Sequence, residues 1–495
     1  MLARRRLHSS PPSLFRPSPP ALVFGLQLPE PSNEPLAGTL GEAGASGPPW
    51  LFLLQVVVGL PAALWAYKCL MLVLFQRKII YLPSVPPGTR DESLADGERT
   101  PARDASLSGM RWKEVEVTSE APTRWLRRKV KLRGVELEWK EDEGEKKAAA
   151  VGAGRRPHVV VVYLQGNAGT PLLRAPLFRA LLRPPPAPRR THASSRPPSL
   201  FQSTNSPPSP KTSPPPLAPA RLTLLSLAPR SFWLSTRSTP TEAAVLADYR
   251  AALEHAFRTH GPQAKYVLYG HSLGGAAAVL LLEQLGRAPF PASPSSSAAF
   301  GAGTTSDAPT TTTPRVHALI LENPLPSIPI MVRALYPQKW LPYHYLGPFA
   351  FDKWDAAGRI GRLAAGAAAA KKGGEARGGG GVGTSPLRSL WVRSGRDEIV
   401  PGGEEEGGDP VRRMYDDWLA ATSPPSSLSP SSSSPPALLD ETAPPLTPTP
   451  IARWVTIPDA LHDTAFMERR WRDDVRGFLE EVGRGAGVEE TGEGA

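Results

Sequence analysis

Apolar positions along this chain fall into blocks of two kinds. The first is one long run, Leu51–Phe75 (LFLLQVVVGLPAALWAYKCLMLVLF), broken by a single charge, Lys68. It is about 25 residues long, and ~20 apolar residues in a helix suffice to cross a bilayer. Lys68 lies toward the C-terminal end, where its stem reaches the interface. Pro61 is tolerable in a membrane helix. A retained anchor is favoured over a buried core helix or a cleaved signal peptide, because the Arg4–Arg6 cluster lies too far upstream for an ordinary n-region. The second kind of block is short and recurrent. His158–Leu164 (HVVVVYL) is a continuous β-branched run, the pattern of a strand buried on both faces. Arg221–Leu227, Lys265–Tyr269, Val316–Leu321, Leu387–Arg393 and Trp454–Ile457 read as further strands, and Trp112–Val117 with Lys129–Trp139 as an antiparallel start. Helical spacing appears at Thr241–Arg258, Gly275–Leu285, Val411–Ala420 and Thr464–Val482. Strands alternating with helices predict an α/β fold class: a mainly parallel sheet flanked by helices.

Between these blocks lie tracts without periodicity. Residues 1–49 form a proline-rich tail, and 483–495 a second tail. Four low-complexity inserts interrupt the domain at 184–220, 287–314, 364–385 and 422–450. Such tracts bury too little apolar surface to offset ordering entropy. Composition changes the picture here: of 495 residues, Gly 44 and Pro 59 suggest low complexity, yet most of that excess belongs to the tails and inserts. Removing them leaves about 290 residues, one domain within 110–482 behind the span at 51–75. A single cysteine, Cys69, excludes a disulfide scaffold and a cysteine-rich zinc module. The net charge of +11 raises nucleic acid as a partner, but the arginines are scattered through tails and flanks with no aromatic-interleaved basic motif, so no nucleic acid is expected. Arg77, Lys78 and Arg90 after the span place the body in the cytoplasm by the positive-inside rule, whereas the N-terminal arginines argue the opposite. The reading is a single-pass protein of an endomembrane or plasma membrane, with either orientation.

Candidate chemistry centres on Lys265–Tyr269 followed by Gly270-His271-Ser272-Leu273-Gly274-Gly275 and an Ala/Leu helix. GxSxG between an apolar strand and an apolar helix makes a tight elbow. Gly270 and Gly274 remove clashing side chains and leave the Ser272 hydroxyl exposed at a helix head. A serine hydroxyl needs a base oriented by an acid. In such folds the order is Ser, acid, His. After Ser272 the histidines are His317, inside a strand; His344, in the aromatic stretch LPYHYLGPF; and His462, in a loop just past a strand. Ligands of open parallel sheets bind beyond the strands' carboxyl ends, which selects His462. Asp397 in SLWVRSGRDEIVP is the acid, ahead of Glu398, Asp352, Asp355, Asp409 and Asp440. Asp463 is expected to cap the next helix. The N–H of Leu273 supplies one oxyanion donor, and the loop Tyr163–Gly169, with Gly166 and Gly169, a second.

At these residues the chain resembles the α/β-hydrolase superfamily. More closely it is similar to the bud-emergence (BEM-type) group of membrane-anchored serine hydrolases, related to serine-aminopeptidase-like hydrolases. The matching segments, in order, are FQRKIIYLP after the span, QGNAGTPLLR, GHSLGG, ILENPLPSIPIMV, GRDEIVP and LHDT. The resemblance covers about 290 residues plus the anchor. It implies Ser272 as nucleophile, Asp397 as acid, His462 as base, Leu273 and Asn167 as oxyanion donors, and no metal or other cofactor. Gln165 stands where relatives usually carry His. The segment APRSFWLSTRSTPTE replaces a Gly-rich pattern, which leaves that loop's contacts open.

The aromatic and proline-dense segment Asn323–Trp354 reads either as a partial lid with an apolar acyl pocket or as ordinary packing of a long connection. The expected function is a membrane-anchored serine hydrolase cleaving a carboxylic ester or thioester, on a lipid or an S-acyl protein, through an acyl-enzyme. The competing class is a non-catalytic membrane scaffold whose tracts, such as PPSPKTSPPP, recruit protein partners.

Overall fold

In the computed structural model the described residues are 49–90, 107–122, 127–140, 156–184, 220–285, 315–362, 365, 387–400, 402, 408–422 and 451–485. The expected tails and inserts lie almost wholly outside them. The chain divides into two units, Met1–Ala62 and Ala63–Ala495. The described part of the first unit is helical and belongs to α1, Pro49–Leu74.

The second unit is built on one sheet. Its strands are β1 (Met110–Pro122), β2 (Arg127–Trp139), β3 (His158–Leu164), β4 (Arg221–Leu227), β5 (Lys265–His271), β6 (Val316–Glu322), β7 (Arg388–Ser394) and β8 (Ala452–Ile457). Their spatial order is β1-β2-β4-β3-β5-β6-β7-β8. β1 and β2 pair antiparallel, as the sequence predicts, and β2 joins β4 antiparallel. All later pairings are parallel. This strand order and connectivity are those of an α/β-hydrolase fold.

The strands form where they do because both faces are covered. Val159, Val160 and Val161 of β3 are fully buried, and each such valine contributes roughly 1.5–3 kcal/mol of burial. Helices α3 (Ala175–Leu182), α4 (Glu242–His260), α5 (Leu273–Gln284), α7 (Pro410–Thr422) and α8 (Arg469–Arg484) flank the sheet. A short α2 (Gln76–Ile80) follows α1, and α6 (Ile328–Leu335) follows β6. The Thr241 side chain caps α4 by accepting from the Ala244 amide at 3.2 Å, and Gly261 at φ 75° ends it.

Two expectations are refined. The single helix predicted over Thr464–Val482 is a 3-10 turn, Ala465–Met467, followed by α8, with Glu468 extended between them. The short α2, α3 and α6 lack a long enough apolar period to be read in advance.

The segment after β4, whose contacts the sequence leaves open, is tightly held. Arg230 is 2 % exposed and donates through Nε (2.9 Å) and Nη2 (2.6 Å) to Asp248 of α4. Phe232 and Trp233 beside it are each 1 % exposed. Removing one partner of a buried pair strands the other charge, so Asp248→Ala should lower unfolding stability by about 3–5 kcal/mol. Asp416→Ala, which breaks the exposed Arg412–Asp416 pair, should cost under about 1 kcal/mol. Denaturant titration of the two variants checks this; equal losses would refute the role given to the buried pair.

Candidate active site

The parallel strands stop in register at one edge. Leu164 pairs with Gly270, His271 with Glu322, and Ser394 with Ile457. The ladder continues one residue further: Ser272 N–H donates to Glu322 O (3.0 Å), Asn323 N–H to Val392 O (2.9 Å) and Gly395 N–H to Ile457 O (2.8 Å). The residues that follow each strand are therefore delivered to the same edge.

Ser272 sits between β5 and α5 at φ 54°, ψ −119°. A non-glycine residue with positive φ is strained and persists only where its surroundings fix it. Its carbonyl accepts from Gly275 (2.9 Å) and Leu325 (3.0 Å). A Cβ on Gly270 would lie 2.3 Å from Gly274 O, and one on Gly274 would lie 2.0 Å from Leu164 O. Both elbow glycines are thus required by close backbone approach, as the sequence predicts. Leu273 is the first residue of α5, where an amide has no intrahelical acceptor.

His462 is 2 % exposed. Its Nδ1 lies 2.9 Å from Asp397 Oδ1. A carboxylate only accepts, so Nδ1 carries the proton and Nε2 is left as the basic nitrogen. Asp397 Oδ1 also accepts from the Ile399 (3.0 Å) and Val400 (2.9 Å) amides, and Oδ2 takes a short bond from Arg393. Burial raises the Asp397 carboxyl, but the His462 bond, the backbone donors and the Arg393 charge together hold it below the usual carboxylate range.

Neighbouring residues make further contacts, one of which overturns an expectation. Glu398, ranked behind Asp397 as the acid, also reaches the histidine: its Oε2 accepts the His462 N–H at 3.0 Å. Asp463 does not cap a helix; it accepts from Arg174 (2.9 Å) and lies 3.2 Å from His271 Nε2. His344 is held through Nδ1 to Tyr336 O (2.8 Å) in the connection after β6.

Two residues not singled out in the sequence join the edge. His271 is 1 % exposed, and its Nε2 lies 3.1 Å from the His462 carbonyl. Burial, with Arg174 nearby, pushes its pKa down to about 3, so the ring is neutral with its proton on Nε2. Asn323, at φ 43°, donates Nδ2–H to the His462 carbonyl (2.9 Å) and to Ser394 Oγ (2.9 Å), and accepts from Ser394 N (2.8 Å). The only hint was position: each ends or follows a buried strand.

On the other side of Ser272 lies the loop after β3. A Cβ on Gly166 would stand 3.5 Å from Ser272 Cβ and from His271 Nδ1. The Asn167 carbonyl accepts from Leu82 N (2.8 Å), and Val85 O accepts from Gly169 N (2.9 Å). Gln165 is buried, with no side-chain partner among the described residues.

His271, His462 and Asp463 offer ligand atoms within 4.8 Å of one another. The set fits a cation poorly. The His271 Nε2–H points at acceptors, His462 Nδ1 is committed to Asp397, and the Arg174 guanidinium neutralises Asp463.

No family model matches the chain, and neither does any curated protein. Solved structures do. An alpha-beta hydrolase from Vibrio vulnificus is 12% identical over 81% of this chain and 92% of its own, at a TM-score of 0.39. Carboxyl esterase 2 from Tuber melanosporum is 11% identical over 77% and 89%, at 0.37. A thermostable esterase from Pseudomonas putida is 11% identical over 78% and 88%, at 0.39. The fold assignment rests on the strand order above.

Two outcomes test the geometry. With a depressed native pKa, the Asp397 carboxylate contributes stability that is complete above about pH 5. That contribution is lost as pH falls from the ordinary value of ~3.9 through the lower folded value. The stability gap between wild type and Asp397→Asn should therefore be constant above about pH 5 and narrow below about pH 4; a gap independent of pH would refute it. Asn323→Ala should cost about 1–3 kcal/mol, because it leaves the buried Ser394 amide without its acceptor. Asn323→Gly should cost less, because glycine adopts positive φ freely. Equal or reversed losses in urea unfolding would show that φ strain at 323 is immaterial.

Proposed function

We propose that this protein is a membrane-anchored serine hydrolase that cleaves carboxylic esters or thioesters through an acyl-enzyme. The observation that carries the reading is the buried Asp397–His462 pair on the same sheet edge as Ser272, with Ser272 held in a strained elbow at a helix head. In this reading Ser272 Oγ attacks the carbonyl carbon while its proton passes to His462 Nε2. Asp397 fixes the tautomer and stabilises the imidazolium. The oxyanion receives the N–H of Leu273 and that of Asn167, across a gap that Gly166 keeps free of a side chain. His462 then protonates the leaving alkoxide or thiolate. Water, deprotonated by the same nitrogen, attacks the acyl carbon and regenerates Ser272.

The resemblance to BEM-type hydrolases supports the same assignment of roles. The membrane part rests on Trp50–Leu74, 25 residues with a mean hydropathy of 1.9 in a window that is 0% buried. A lipid ester or an S-acyl protein is the substrate class that suits such an anchor. The formed elbow and the Asp397–His462 pair favour this reading over a scaffold acting through the tracts at 184–220, which lie outside the described residues.

A fluorophosphonate probe should label the wild type and leave Ser272→Ala unlabelled. His462→Ala should lower ester turnover by about 10⁶-fold. Equal labelling of the serine variant would overturn the assignment.

A further inference from the structure

The connection after β6 runs beside the second half of α1, and the contacts are collinear. The Trp340 ring lies 6.2 Å from that of Trp65. The Lys68 ammonium sits 4.6 Å from the centre of the Tyr343 ring. Gln76 Nε2 donates to Phe349 O (3.2 Å), and Phe351 N donates to Gln76 Oε1 (2.6 Å). Arg77 pairs with Asp352 (3.0 Å), and Trp354 Nε1 donates to Tyr81 Oη (3.0 Å). From Trp354 back to Trp340, the segment therefore climbs α2 and the last turns of α1.

Its outward side chains are large and apolar. Leu335 is 66% exposed, Trp340 71%, Tyr345 59%, Phe349 60% and Phe351 58%. Large apolar side chains exposed together along one segment of a folded body mark an interaction surface. From Ile328 to Phe351 there is no Asp or Glu, whereas Arg333 and Lys339 are both exposed.

What covers the patch follows from α1. Trp65 stands nine residues before Leu74, about 13 Å along a helix rising 1.5 Å per residue. If α1 crosses a bilayer, a side chain level with Trp65 lies within the membrane. We propose that the segment Leu335–Phe351 is a second membrane-contacting surface, seated in the leaflet that α1 leaves. Trp340 is its deepest residue, and Phe349 and Phe351 lie at headgroup level. Tyr345, between these levels, suits the boundary, and the acid-free, Arg- and Lys-bearing segment suits anionic headgroups. The body would then be docked on the bilayer rather than tethered above it. This inference rests on the anchor reading and goes beyond it.

The test uses the full chain with Cys69→Ser, which removes the one cysteine. Single cysteines are placed as Trp340→Cys, Tyr345→Cys and Phe351→Cys, with Lys129→Cys, an exposed position on β2, as reference. Each is labelled with an environment-sensitive fluorophore in phosphatidylcholine–phosphatidylserine vesicles. Nitroxides on the lipid acyl chains should quench position 340 several-fold more than position 129, with 345 and 351 between them. Aqueous iodide should show the reverse order. Fluorophosphonate labelling or protease resistance reports folding, and the three independent sites guard against one misfolded variant. Alkaline carbonate extraction separates the readings. A chain that is extracted overturns both the anchor and this surface. A chain that stays in the vesicles with 340 quenched like 129 overturns this surface alone. Shielding of 340 from lipid nitroxide and iodide alike would overturn it in favour of a protein cover.

Discussion

One carbonyl oxygen holds the candidate site together. The His462 peptide oxygen meets His271 Nε2 from the end of β5 and Asn323 Nδ2 from the end of β6. Asn323 in turn clasps Ser394 of β7 through a donor and an acceptor. A loop that leaves β8 is thereby fixed against three other strands. Buried polar groups of this kind are costly unless every member is paired. The arrangement therefore tolerates little displacement of the imidazole. Positive φ at both Ser272 and Asn323 belongs to the same constraint, since each residue must turn sharply off a strand to reach the edge.

The opposite wall of the site is tied to the chain that follows α1. Leu82 and Val85 exchange backbone hydrogen bonds with Asn167 and Gly169. Tyr81 receives the Trp354 indole. The residues between α1 and the body are thus structural neighbours of the loop assigned to the oxyanion, not a free tether.

Much of this was legible in the chain. The β-branched run HVVVVYL admits no other placement than a central strand. GHSLGG between an apolar strand and an Ala/Leu helix specifies the elbow by sterics alone, because a Cβ at Gly270 or Gly274 meets backbone. That Ser272, Asp397 and His462 each stand just past a strand brings them to one edge, because parallel strands present their carboxyl ends together. Less legible were contacts made by residues of ordinary type. Nothing in Asp463 distinguishes a helix cap from a partner of Arg174, and Glu398 beside Asp397 gives no sign that it meets the His462 amide.

The reason is one of range. Local sterics and hydrophobic period are properties of neighbouring residues, so strands, the elbow and the apolar span are written in the sequence itself. His271, Asn323, Arg230–Asp248 and the outward face of Leu335–Phe351 depend on which distant segments pack together. Whether a polar group finds a partner, or an aromatic ring finds cover, is decided only when the tertiary structure sets those distances.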